Sequence, residues 1–321
     1  MAIQAAGARV WRGMMLAAAL AVIGTPASAQ IRIGQTAGFT GAVAAGVKEV
    51  SSGAKLYLDA INLAGGVAGQ TIELIALDDK FEPALAAENA KKLIDQGVIA
   101  LFLTRGTPHT QAVLPLLAQY KVPLIGPSTG AMALHVPVHP WVFNVRATYQ
   151  REAERAVRHL SLIGMDRIAI VQVEDTFGSD AAQGALKGFA GVGKQPVLHE
   201  KFDRSKPDMA PMIPKILKAD AQAVLFVASG SMVADGVKLL RAAGLAELTP
   251  AMLEGYAAAK VLVEGLRRAS PNPTRDKLKT ALESFRRFDL GGLELSYTPT
   301  DHSGLDYADL SIVGEDGKFR R

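Results

Sequence analysis

The chain has 321 residues, 49% of them hydrophobic, and a formal net charge of +4 at pH 7. It contains no cysteine, which excludes disulfides, thiol catalysis and a lipid-anchored N-terminal cysteine, and so small a charge implies no nucleic acid or other polyanionic partner. The length predicts about two domains.

Arg9 and Arg12 precede an apolar stretch, Met14 to Gly24, which is followed by Pro26 and the small triplet Ala27-Ser28-Ala29. This is the pattern of a secretory signal cleaved before Gln30, and its apolar part is too short to span a bilayer. Its removal takes both arginines and halves the formal charge. No later stretch reads as a transmembrane helix. A diffusible, unanchored exported protein stays near its cell when an outer membrane retains it, so the expected location is a Gram-negative periplasm.

Seven strands follow, at Ile31 to Gln35, Thr71 to Leu77, Val98 to Leu103, Val122 to Ile125, Arg167 to Val173, Pro196 to Phe202 and Gln222 to Val227. Amphipathic helical stretches separate most of them, which predicts an α/β fold. Helix Val47 to Leu63 stops at Gly65-Gly66, and helix Glu82 to Gln96 opens on Glu82-Pro83 and stops at Gly97. The best domain boundary is Trp141 to Tyr149, where the strand WVFNV leads into the helical stretch Gln150 to Leu162 and the alternation starts afresh. Two such lobes would enclose a small ligand between them.

The functional signal lies between Val98 and Gly130. Val98 to Leu103 and Val122 to Ile125 are unbroken apolar runs, as expected of parallel strands buried on both faces. Each ends in a small polar loop, Thr104 to Thr110 and Gly126 to Gly130, with a helix, Ala112 to Tyr120, between them. Ligands of open parallel sheets bind outside the carboxyl ends of the strands. Thr107, Thr110, Ser128 and Thr129 place hydroxyls there, and the glycines permit close backbone approach, which suits a carboxylate held without a formal cation.

Other chemistries fit less well. Gly126-Pro127-Ser128-Thr129-Gly130 matches the G-x-S-x-G nucleophile elbow, with His302 downstream, but Pro137 and Pro140 interrupt the helix that an elbow requires and no HGGG-like segment is present. The segment GFAGVGK at Gly188 to Lys194 lacks the Ser/Thr of a phosphate loop and follows a helix rather than a strand. His109 reads as a lone surface histidine with no second histidine at metal spacing, and Pro137 keeps His135 and His139 off one helical face. Asp78-Asp79 read as turn residues. No catalytic residue, metal or cofactor is expected.

Several segments together carry a resemblance: IRIGQTAGFTGAVAAG, SSGAKLYLDAINLAGGVAGQTIEL, Asp78-Asp79 before a helix, GTPHTQAVLP, IGPSTGAMAL, VFNVRATYQREA and VEDTFGSD. Over nearly all of the chain after residue 29 it resembles the periplasmic solute-binding proteins of ABC transporters in the branched-chain amino acid binding family. The resemblance implies a type I periplasmic binding protein fold, with two Rossmann-like lobes, parallel sheets and a ligand cleft between them. It divides the chain into a signal peptide, 1–29, a first lobe, 30–146 plus about 249–290, and a second lobe, 147–244 plus about 291–321. It implies that the two loops hold the ligand carboxylate, that Tyr149 lies at the crossing, that Phe177 packs on the ligand and that Asp175 meets an ammonium group. The implied function is capture of a small carboxylate-bearing solute, such as a branched-chain amino acid, by a monomer that hands it to an inner-membrane permease. The same capture serves equally in presenting the solute to a membrane receptor.

The sequence departs from the amino-acid-binding pattern at Ala45, where an aromatic residue is common, and at Thr148, Tyr149 and Gln150, which include no acid for an α-ammonium group. It also departs after Gly244. By resemblance helix Val233 to Ala243 belongs to the second lobe and the helix Pro250 to Arg268 to the first, yet only Leu245 to Thr249 joins them. Five residues span at most about 18 Å. The second lobe is therefore expected to be incomplete, with an exposed sheet edge near Gln222 to Val227, and the helix Pro250 to Arg268 to have shifted or the lobes to be poorly coupled.

Overall fold

The computed structural model describes residues 30–229 and 252–306, and the backbone of 312–313 and 319–320. The proposed signal segment 1–29, the predicted helix Val233 to Ala243 and the joining residues Leu245 to Thr249 lie outside the described residues.

The first lobe is built on a five-stranded sheet, in which β1 (Ile31–Ala37), β2 (Ile72–Asp78), β3 (Ala100–Phe102), β4 (Leu124–Ile125) and β5 (Val142–Phe143) run in the order β2-β1-β3-β4-β5. Every neighbouring pair is parallel. Parallel strands need crossovers, and helices α1 (Ala44–Leu63), α2 (Pro83–Asp95) and α3 (Thr107–Tyr120) supply them. The sheet is buried on both faces. On one side Ile33, Phe102, Ile125 and Phe143 join Val50 and Leu58 of α1; on the other Leu101, Leu124 and Val142 meet Leu93 of α2 and Val113 and Leu117 of α3. This two-sided burial is why β3 and β4 read as unbroken apolar runs.

The second lobe has a three-stranded parallel sheet among the described residues, β6 (Ile168–Val173) between β7 (Leu198–Phe202) and β8 (Ala223–Val227). The central strand is buried at all six positions. Helices α4 (Tyr149–Leu162) and α5 (Thr176–Gly191) cover one face through Ala153, Val157, Ala185 and Phe189, and α6 (Met212–Lys218) covers the other through Met212 and Ile216. Gly184 lets α5 lie directly on α4: a Cβ there would stand 2.3 Å from the Gln150 backbone.

Helix α7 (Met252–Ala269) packs in the first lobe, placing Ala258, Ala259, Leu262 and Leu266 in the same core as Val50 and Ile33. Gly255 sets the approach, since a Cβ there would lie 1.8 Å from the Val50 carbonyl oxygen of α1. The helix therefore keeps a first-lobe place. Helix α8 (Arg275–Glu283) follows it into that core through Leu278 and Leu282. The ribbon formed by β9 (Phe288–Asp289) and β10 (Glu294–Leu295) corrects one expectation: residues from 291 were assigned to the second lobe, yet Leu295 and Tyr297 are buried in the first-lobe core. Tyr297 binds there because its hydroxyl donates to the Asn144 carbonyl at 2.5 Å, and a buried phenol needs such a partner. Two short strands, β11 (Ile312–Val313) and β12 (Phe319–Arg320), pair antiparallel. Among the described residues, no helix is long and apolar enough to cross a membrane.

Candidate functional site

The carboxyl ends of β1, β3 and β4 open on one side of the first sheet. The expected loop after β3 is shorter than predicted because α3 already begins at Thr107, where Pro108 suits a first-turn position and Gly106, at φ 93°, turns the chain into it. Thr107 and Thr110 thus stand in the first turn of a helix rather than in a loop. The Thr107 and Thr129 hydroxyls meet at 2.8 Å, and those of Thr104 and Thr110 at 3.0 Å. Thr107, Thr110, Ser128 and Thr129 are all buried. The backbone ties the two turns together, since the Ser128 amide donates to the Thr104 carbonyl at 2.7 Å.

Ser128 brings a residue that sequence reasoning missed. The Arg105 guanidinium donates to the Ser128 hydroxyl at 2.8 Å, so a formal cation stands where none was expected. Both residues line a crevice too narrow to admit a water molecule, with Gln35, Ala37, Val47, Val50 and Leu103. The crevice floor is fixed by Gln35, whose amide donates to the Ser51 hydroxyl and the Leu103 carbonyl. No triad forms around Ser128. His302 lies elsewhere, stacked on Phe143 with its Nδ1 on the Val142 carbonyl at 2.9 Å.

The Asp78-Asp79 turn does more than reverse the chain. The Asp78 carboxylate accepts from the Phe39 and Lys80 amides, and Asp79 accepts from the Phe81 amide and the Thr36 hydroxyl. Held this way, Lys80 and Phe81 adopt left-handed conformations, φ 52° and 61°, which a bulky residue avoids unless its surroundings enforce them. The turn projects the Phe81 ring onto His109, with ring centroids 4.1 Å apart. His109 is therefore a buried residue and not the surface histidine expected; Gly106 gives the rings room, since a Cβ there would lie 2.7 Å from His109 Nδ1. Burial lowers the His109 pKa and keeps the ring neutral.

The second lobe supplies the facing wall from the first turns of α4 and α5. Tyr149 and Phe177 meet edge to face at 4.8 Å, and the Arg146 guanidinium lies 4.7 Å over the Tyr149 ring. Asp175 caps α5 by accepting from the Gly178 amide at 2.9 Å. It does not stand free for an ammonium group, because Arg204 donates to its other oxygen through Nε at 2.8 Å and Nη2 at 2.5 Å. Arg204 also lies 5.3 Å over Phe81 of the first lobe and 6.0 Å over Phe177 of the second. A column of rings and guanidinium groups thus runs from His109 through Phe81, Arg204 and Phe177 to Tyr149. Nothing in local sequence pattern identifies Phe81, Arg105 or Arg204, whose partners are distant in the chain. Among the described residues, no group of three or more His, Cys, Asp or Glu side chains is placed to hold a metal ion.

A family model described as a periplasmic binding protein matches residues 30–252. An amino acid binding protein of Pseudomonas aeruginosa is 25% identical over 224 residues, covering 67% of this chain and 59% of that protein. A Leu/Ile/Val-binding protein homolog of Brucella melitensis is 26% identical over 204 residues, covering 62% and 55% respectively. The chain thus spans less than two thirds of the length of these relatives. Among solved structures, a substrate-binding periplasmic protein from Ralstonia solanacearum superimposes with a TM-score of 0.83 at 27% identity, over 90% of this chain and 99% of that one.

Proposed function

We propose, since this chain belongs to the periplasmic binding protein family, that it captures a small carboxylate-bearing solute in the periplasm and presents it to an ABC permease in the inner membrane. Relatives named for leucine, isoleucine and valine support this reading, since each of those solutes carries a carboxylate beside a compact apolar side chain. The observation that carries the reading is the meeting of the two turns after β3 and β4 at the carboxyl ends of the first-lobe strands, through the Thr107 and Thr129 hydroxyls and the Ser128 amide on the Thr104 carbonyl. There Ser128, Thr129 and the first turn of α3 place hydroxyls, and the helix N-terminus adds a favourable field for an anion.

The proposed mechanism is non-covalent. Open lobes admit the solute, its carboxylate docks on the first lobe, and closure brings Tyr149 and Phe177 over it so that the permease distinguishes the closed form. The chain acts as a monomer, released by removal of 1–29, and needs no catalytic step or cofactor. Residues 30–146 with α7, α8 and the β9-β10 ribbon form the docking lobe, and residues 147–229 form the described part of the closing lobe.

Small molecules retained by the purified chain through gel filtration, identified by mass spectrometry, give the direct test. A retained carboxylate that binds again after removal supports the reading. Failure to retain or rebind any small carboxylate would defeat it. Thr129→Val keeps the side-chain shape but leaves the buried Thr107 hydroxyl unpaired and removes a ligand contact, and is expected to weaken binding by about 1 to 3 kcal/mol in titration calorimetry.

A further inference from the structure

Between β5 and α4 the chain passes from one lobe to the other through Asn144 to Thr148, which have no regular secondary structure. Arg146 lies in the middle of this crossing, with its guanidinium shared between one acid from each lobe. Its Nη2 donates to Glu152 of α4 at 2.6 Å, and its Nη1 stands 3.6 Å from Glu254 of α7. Glu152 moves with the second lobe, whereas Glu254 stays with the first, because α7 is packed into the first-lobe core. The sharing is unequal. Among the described residues, Arg146 Nε and the other Glu254 oxygen are both shielded from solvent and have no hydrogen-bond partner. A guanidinium binds a carboxylate best through two parallel bonds, so a short swing towards Glu254 would satisfy both atoms and break the bond to Glu152. Glu152, 38% exposed, could then turn to water; Glu254, 15% exposed, has no such recourse in the present arrangement. What keeps the cation on the second-lobe side is the Glu152 bond together with the Tyr149 ring, 4.7 Å below the guanidinium. The Tyr149 amide is itself anchored on the Gly130 carbonyl at 2.8 Å, so the cation supports a ring that stands beside the turn after β4.

We propose that Arg146 is a positioning residue with two seats, on Glu152 and the Tyr149 ring when the lobes are closed and on Glu254 when they open, so that the support of Tyr149 is tied to the angle between the lobes. This rests on the solute-capture reading above and adds to it the residue that sets the balance of open and closed forms. The two acids act on that balance in opposite senses: Glu152 draws the cation to the closed seat and Glu254 to the open one. Each is a bias on one two-state element, which is how a local charge contact becomes a movement of whole lobes.

The test reads the lobe angle directly and needs no ligand. Because the chain has no cysteine, Ala84→Cys in the first turn of α2 and Lys206→Cys after β7 would carry the only two spin labels. Both positions are exposed and lie at the carboxyl ends of their sheets, one in each lobe, so pulsed electron spin resonance between them gives the populations of short and long distances. In the unliganded protein Glu152→Gln, which keeps the side-chain shape, is expected to raise the ratio of open to closed molecules by about threefold or more, and Glu254→Gln to lower it by a similar factor. In an Arg146→Met background both effects should disappear. Contacts that were merely structural would change the urea midpoint without moving the two populations in opposite directions. Shifts of the same sign, no shift in either variant, or opposed shifts that persist without Arg146 would overturn the proposal. Should Arg146→Met fail to fold, since it strands two acids, the signs of the two glutamine variants decide alone. A chain that retains no carboxylate through gel filtration would defeat solute capture and leave the Arg146 result to be read independently.

Discussion

Two buried titratable residues next to the cleft pull stability in opposite directions with pH. Burial raises the Asp79 carboxyl from its ordinary 3.8 to about 6, only partly offset by the Phe81 amide and the Thr36 hydroxyl. The folded state thus holds this proton more tightly than the unfolded chain, so its contribution is complete below pH 3.8 and is lost as the pH rises through 6. His135, buried beside the crossing, is lowered by burial from 6.5 to about 4, so its contribution is complete above pH 6.5 and is lost as the pH falls towards 4. Asp79→Asn removes the first effect and keeps the shape. At pH 7 it is expected to stabilise the protein by about 2 kcal/mol, because no ionised carboxylate has to be kept from water. The variant should also lose stability more steeply than the parent between pH 6.5 and 4, where His135 and the other histidines lowered by burial are no longer opposed by Asp79. Urea unfolding at pH 7 and at pH 4.5 checks both, and a less stable Asp79→Asn at pH 7 would mean that the turn presenting Phe81 requires the charge.

At the scale of elements, one side chain fastens three segments. Arg275, at the start of α8, donates to the carbonyls of Ile94, Val98 and Tyr120, at 3.3, 2.9 and 3.1 Å. Ile94 and Tyr120 are in the last turns of α2 and α3, whose carbonyls have few partners within their own helices and whose dipoles favour a cation. Arg275→Met keeps the stem but removes these bonds, and is expected to cost about 1 to 3 kcal/mol, read as a lower urea midpoint with an unchanged slope. A midpoint within error of the parent would show that solvent replaces the guanidinium without loss. The elements themselves were legible in the sequence where burial is two-sided: the apolar runs Ala100–Phe102 and Ile168–Val173 fall inside the predicted strands. The start of α3 was not, because Gly106 and Pro108 read as a loop although the pair also suits a helix entry. The hydroxyl residues Thr107, Thr110, Ser128 and Thr129 are expected at the site from their place at strand ends, and the structure brings Thr107 onto Thr129. Arg105 and Arg204 escape local pattern because their partners, Ser128 and Asp175, are far away in the chain, and Phe81 because the Asp78-Asp79 turn that projects it reads as an ordinary turn.

At the scale of the whole molecule, the ring column is prominent among the contacts that join the lobes at the cleft in the described residues. The Arg204 guanidinium reaches Phe81 across the cleft, and Asp180 of α5 accepts from the Met132 amide of the first lobe. A segment from Leu295 to Leu305 lies along the crossing, bonded to it through the Asn144 amide to the His302 carbonyl and the Leu305 amide to the Val145 carbonyl. Just beyond this strap Asp306 pairs with Arg151 of α4 at 3.4 Å, so the strap and the contacts at the cleft mouth both link the lobes. A cation over a ring contributes about 0.5 to 2 kcal/mol, enough to change the ratio of closed to open molecules by roughly twofold to thirtyfold. Phe81→Ala removes the first-lobe ring and with it the cross-cleft half of the column. The unliganded variant is expected to shift toward open lobes, seen as a larger radius of gyration in small-angle X-ray scattering. Saturating ligand should return it to the parent's value, since ligand contacts bias closure independently of Phe81. A radius equal to the parent's without ligand would show that the column does not hold the lobes together, and that closure rests on the remaining contacts around Asp180.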